Sequence, residues 1–128
     1  MIELKRFSSI ITFCYTGNME ASHEFYSGVL KLPMVLDQGG CRIYRVSGAG
    51  YIGFCSRKVP EPSGSVTITL VTDDVDHWFE EVKNAGCEVI KPPAFTPEYN
   101  IYNCFVREPS GYTLEIQRFE DPRWPPKE

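Results

Sequence analysis

Apolar positions recur along this chain with two periods, one helical and one extended. Val75, Trp78, Phe79, Val82 and Ala85 fall at i, i+3, i+4, i+7 and i+10, which is the single stripe of an amphipathic helix. Asp73 or Asp74 stands before the stripe as an N-cap, and Asn84 to Gly86 closes it. A first helix is predicted from Met19 to Leu30, with Met19, Ser22, Tyr26 and Val29 on one face, Asn18 as N-cap and Pro33 just past the exit. Alternation and β-branched content predict strands near 9–16, 34–37, 41–46, 50–56, 65–72, 87–91, 102–107 and 112–118. Glu108-Pro109-Ser110-Gly111 has Pro at the second and Gly at the fourth position of a type I turn, so the last two strands form a hairpin. Pro92-Pro93 opens a longer predicted loop over 92–101, a candidate binding loop. The tail from Asp121 to Glu128, with three prolines, is expected to be irregular.

The elements repeat. Gly50-Tyr51-Ile52-Gly53-Phe54-Cys55-Ser56-Arg57 echoes Gly111-Tyr112-Thr113-Leu114-Glu115-Ile116-Gln117-Arg118 at an offset of 61. The strand and helix that begin each half are offset by 56. Each half therefore reads strand, helix, then three strands. Module 1 covers about 7–58, a Pro- and Gly-bearing linker covers 59–64, and module 2 covers about 65–120 of one 128-residue domain.

Composition narrows the function. Hydrophobic residues make up 42% and charged residues 23%, ordinary for a globular chain and against disorder. The formal net charge of −4 is a poor start for a nucleic-acid binder, which needs clustered Lys and Arg. No apolar run spans a bilayer and Met1 to Phe13 does not read as a signal peptide, so the expectation is a cytoplasmic protein without membrane attachment. Five cysteines without a CxxC pair fit neither a disulfide framework nor a zinc finger and are expected to be free thiols. Gly39-Gly40 and Gly48-Ala49-Gly50 lie between strands rather than before a helix, so neither cradles a phosphate. Both histidines, His23 and His77, lie on predicted helices and read as surface residues.

Three segments carry a family resemblance: Asn18-Met19-Glu20-Ala21-Ser22 with Phe25-Tyr26 and Val29-Leu30, then Asp73-Asp74-Val75-Asp76 with Ala85-Gly86, and finally Pro109-Ser110-Gly111-Tyr112 with Leu114-Glu115-Ile116. The doubled unit resembles the vicinal oxygen chelate superfamily, which includes glyoxalase I, bleomycin resistance proteins and extradiol dioxygenases. The resemblance covers roughly 9–118. It implies an α+β fold of two tandem βαβββ modules forming a curved mixed β-sheet cup with helices on the outer face. It also implies a homodimer.

Metal-using members place one ligand on the first and last strand of each half. Mapped through the repeat, those positions are Ile11, Phe54, Thr67 and Glu115. Only Glu115 is a good divalent-metal ligand, so no metal site and no cofactor are expected, and a metal would need an atypical site. If these four positions face the cup, period-two alternation adds Phe13, Ile52, Thr69, Thr113 and Gln117. Phe105, Asn103 and one of Arg42 or Tyr44 join the wall, while Tyr99 and Tyr102 lie in or beside the long loop, either closing over a ligand or serving as surface residues. Cys14 and Cys55 take the opposite parity, toward the helices. Such a lining suits a small organic ligand with one polar end. Glu115 is then a general base, a cation anchor or a structural hydrogen-bonding group.

The leading expectation is a metal-independent small-molecule binding protein in the manner of the bleomycin-resistance branch. The alternatives are a lyase, isomerase or dioxygenase using Glu115 as base or an atypical divalent metal, and a dimeric scaffold whose cup is filled by its own side chains.

Overall fold

The computed structural model describes Lys5, residues 7–57 and residues 66–124. The expected linker 59–64 lies outside the described residues, as does the tail beyond Trp124. The chain divides into two compact units, Met1–Lys58 and Val59–Glu128.

In the first unit the order is β1 (Ile10–Thr16), α1 (Met19–His23), a π-helical segment (Glu24–Val29), β2 (Met34–Asp37), β3 (Cys41–Ser47) and β4 (Gly50–Ser56). The sheet order is β1-β4-β3-β2, with β1 parallel to β4 and the other pairs antiparallel. The second unit repeats this plan with β5 (Thr67–Val71), α2 (Val75–Asn84), β6 (Glu88–Thr96), β7 (Ile101–Arg107) and β8 (Thr113–Phe119), in the order β5-β8-β7-β6. Each unit is the predicted βαβββ module.

Asn18 caps α1 as predicted, its side chain accepting from the Ala21 N–H at 3.0 Å. The single α-helix expected to Leu30 instead widens after His23. The Leu30 N–H reaches back to the Phe25 carbonyl at 2.9 Å, a five-residue step. The extra residue in that turn lets Phe25 and Tyr26 both enter the core and brings Leu30, rather than Val29, to the buried side.

In α2 the buried residues are Val75, Phe79 and Val82, while Trp78 is half-buried. The helix ends as its sequence dictates. Gly86 (φ 98°) donates to the Lys83 carbonyl and Cys87 to that of Val82, the paired bonds of a Schellman motif. The 108–111 hairpin also forms, with the Gly111 N–H donating to the Glu108 carbonyl at 2.9 Å.

The predicted loop and the predicted free thiols also differ from the structure. The loop over 92–101 is mostly strand: β6 runs on to Thr96 and only 97–100 turns. Pro92 and Pro93 are tolerated because β6 is an edge strand and its pairing with β7 shifts between Lys91 and Ala94, where no ladder bond is needed. The five free thiols are in fact three. Cys41 and Cys55 face each other across β3 and β4 and form a disulfide, leaving Cys14, Cys87 and Cys104 free.

Candidate functional site

Which face each strand presents follows from register. In the first unit Tyr26 lies 4.4 Å (ring centroids) from Phe54 and 6.3 Å from Tyr44, and the Ser22 hydroxyl donates to Thr16 Oγ1 at 2.8 Å. The helix side of this sheet is therefore Cys14, Thr16, Arg42, Tyr44, Ile52 and Phe54. The opposite, helix-free face carries Ile11, Phe13, Ile43, Tyr51, Gly53 and Cys55. Phe13 lies across Gly53 so closely that a Cβ there would stand 2.7 Å from its ring.

The inward orientation expected of Ile52 and Phe54 is thus reversed: both are core residues beneath the helix. Arg42 and Tyr44 are reversed with them, and Cys55 lies on the face opposite Cys14. Ile11 and Phe13 do lie on the helix-free face. His23 is more than a surface residue, because its Nδ1 sits 2.7 Å from the Tyr44 hydroxyl. Burial holds the Tyr44 phenol above its ordinary pKa. His77 is exposed and stands edge-on to Trp78.

In the second unit Leu114, Ile116, Cys104 and Val106 are buried on the α2 side. Thr67, Thr69, Phe105, Thr113, Glu115 and Gln117 alternate to the helix-free face. A row of hydrogen bonds crosses all four strands on that face. Thr69 Oγ1 donates to Glu115 Oε1 at 2.8 Å, and Asn103 Nδ2 donates to Glu115 Oε2 at 2.9 Å. On the other side of Asn103, its Oδ1 accepts from Thr96 Oγ1 at 2.8 Å and from Lys91 Nζ at 2.7 Å. Asn103 is 3% exposed.

Tyr102 does not close over this face. It points to the α2 side, where its hydroxyl donates to Asp76 at 2.6 Å, a bond that raises its pKa. Tyr99 is 65% exposed in the 97–100 turn. Trp124, in the proline-bearing tail, stacks on Phe119 at 3.9 Å. A separate groove of about 330 Å³ at the end of β5 is lined by Val71, Thr72, Asp73, Asp74, Arg118, Phe119 and Trp124 and does not include Glu115.

Sequence reasoning missed Lys91 and Thr96. Both lie in the segment read as strand end and loop, and the shift in β6 hides them from alternation.

A carboxylate can accept about four hydrogen bonds. Glu115 uses one direction on each oxygen for Thr69 and Asn103, which fixes its rotamer and leaves acceptor capacity on both atoms. The donors around it do not fit a divalent metal. Its partners are a hydroxyl and an amide N–H, with an ammonium group one residue further along the row. Among the described residues no three His, Cys, Asp or Glu side chains gather to hold a metal. What the arrangement offers is an oriented carboxylate amid hydroxyl, amide and apolar side chains.

The model of the Glyoxalase/Bleomycin resistance protein/Dioxygenase superfamily matches residues 10–116. The chain belongs to this superfamily. The similar solved structures support the same fold. A glyoxalase/bleomycin resistance protein/dioxygenase from Nocardioides is 20% identical with a TM-score of 0.74, over 99% of this chain and 93% of that one. A glyoxalase-related enzyme from Fulvimarina pelagi is 20% identical with a TM-score of 0.75, over 97% and 94%. A lactoylglutathione lyase from Agrobacterium tumefaciens is 21% identical with a TM-score of 0.69, over 88% and 95%. No curated protein matches the chain in sequence. At such identities the likeness carries fold, and function has to be argued from the site.

Proposed function

We propose that this superfamily member is a small-molecule binding protein that works without a divalent metal, with Glu115 as the polar anchor of its ligand. The supporting observation is the state of Glu115. It is held in one orientation by Thr69 and Asn103, keeps free acceptor capacity, and among the described residues belongs to no group of three His, Cys, Asp or Glu side chains that could hold a metal. The residues proposed to meet the ligand around it are Thr67, Thr69, Phe105, Thr113 and Gln117, which share its face of the sheet. Ile11 and Phe13 offer apolar surface of the same kind on the first sheet.

A homodimer belongs to the same reading, supported by the apolar side chains left exposed on β1, β2 and β6. So does a cytoplasmic location, against which the Cys41–Cys55 disulfide stands, since such bonds are rare in reducing compartments. The second reading is an enzyme in which Glu115 is a general base. Its support is the same fixed rotamer, because a base must be aimed before the reaction begins.

Native mass spectrometry decides the metal question. The protein is expected to take up no Zn²⁺, Mn²⁺, Ni²⁺ or Fe²⁺ at micromolar levels and to retain a small organic mass. One metal per chain, lost in Glu115→Gln, overturns the proposal. The same variant separates the two readings: an enzyme loses turnover, while a binding protein keeps its fold and loses affinity only for ligands that donate to the carboxylate.

A further inference from the structure

An asparagine amide is nearly symmetric in shape, so its partners decide which end points where. At Asn103 the decision is made from β6. Lys91 Nζ lies 2.7 Å from Oδ1, 3.1 Å from the Asn103 backbone carbonyl and 3.3 Å from Thr96 Oγ1. Those three contacts account for the three ammonium protons, so the charge is spent internally rather than offered to a ligand. Thr96 Oγ1 gives Oδ1 a second donor at 2.8 Å. With two donors on the oxygen, the NH₂ end is directed to Glu115 Oε2 at 2.9 Å. The reversed amide would set NH₂ against an ammonium and carbonyl oxygen against a carboxylate, two repulsive contacts in place of two attractive ones.

The backbone supplies the geometry. Lys91 pairs with Phe105 and Ala94 with Asn103, so three steps on β6 oppose two on β7. The bulge that holds Pro92 and Pro93 brings Lys91 within reach of Asn103 on the helix-free face.

We infer that Lys91 is the positioning residue of this site, orienting the Asn103 amide so that it donates to Glu115 and fixes the carboxylate. The inference rests on the reading of Glu115 as the anchor, but its test needs no ligand.

The test is NMR of the Asn103 side-chain NH₂ group in the full chain. In the wild-type protein one Nδ2 proton is expected to be shifted downfield and protected from exchange with water. In Lys91→Met the charged donor is lost and exchange of that proton is expected to accelerate about tenfold, the loss of one charge-assisted hydrogen bond. Backbone amides of β7 and β8 should remain protected. Lys91→Arg, which can still donate to Oδ1, should restore most of the protection.

Wild-type Nδ2 protons that exchange as in a free asparagine overturn the inference without any variant, which covers a Lys91→Met protein that fails to fold. Unchanged protection in a folded Lys91→Met protein overturns it too. If the NMR results are as expected and no small molecule is ever retained, the binding proposal fails and the positioning role stands.

Discussion

Replacing Phe54 by Ala tests the face assignment on which the site depends. Phe54 is 0% exposed and its ring packs, tilted by 35°, against Tyr26 at 4.4 Å between centroids. Removing a fully buried Phe side chain costs about 3–5 kcal/mol, from lost transfer energy and the cavity left behind. For a chain of this length each kcal/mol lowers the melting temperature by about 4 °C, so the expected drop is about 12–20 °C. Phe13→Ala is the matched control. Phe13 is 46% exposed on the helix-free face, and half-burial of a Phe is worth about 1 kcal/mol, or about 4 °C. Differential scanning calorimetry with urea titrations on both variants gives the comparison. Had alternation from the sequence been right, Phe54 would line the ligand face and its loss would cost little more than that of Phe13. Equal melting temperatures for the two variants would therefore refute the assignment of Ile52 and Phe54 to the core.

Three other outcomes follow from the same structure. Reducing the Cys41–Cys55 bond, whose partners are 14 residues apart, should lower stability by about 3 kcal/mol in urea, and the unreduced denatured chain should show three reactive thiols; five thiols would mean the bond is absent. Burial pushes the Cys87 and Cys104 thiols up to about 11, so the folded chain keeps protons that the unfolded chain releases above the ordinary thiol pKa. Their contribution to stability is complete below that value and falls as pH rises toward 11, and alkylation of the native protein at pH 8 should be slow; rapid labelling of Cys104 at pH 8 would contradict its burial. Asn103→Leu strands Lys91 and Glu115 together and should cost about 2 kcal/mol by chemical denaturation; a neutral result would mean the row of bonds contributes nothing.

Much of the fold was legible because single residues announce it. Gly86 and the Val75–Val82 stripe define α2, Asn18 opens α1, and Pro109 with Gly111 makes the last hairpin. The helix-free face of the second sheet was legible too, since Thr67, Thr69, Thr113, Glu115 and Gln117 alternate without interruption. The first sheet failed for a specific reason. The Gly-Tyr echo aligned Gly50-Tyr51 with Gly111-Tyr112, but the first pair lies inside β4 and the second lies in the turn before β8.

The strand ladders set a different correspondence. Phe13 pairs with Gly53 as Thr69 pairs with Glu115, so the counterpart of Glu115 is Gly53 and the offset is 62, one more than the echo gave. A slip of one residue moves every side chain of a strand to the other face, which carried Ile52, Phe54 and Cys55 to the wrong side together. The disulfide was hidden for a separate reason: recognising Cys41 and Cys55 as cross-strand neighbours requires the register of β3 on β4, which alternation along single strands does not supply. The corrected correspondence also strengthens the case against a shared metal-ligand plan. Where the second sheet has its carboxylate, the first has a glycine covered by the Phe13 ring, a position that can offer neither a ligand atom nor room for one.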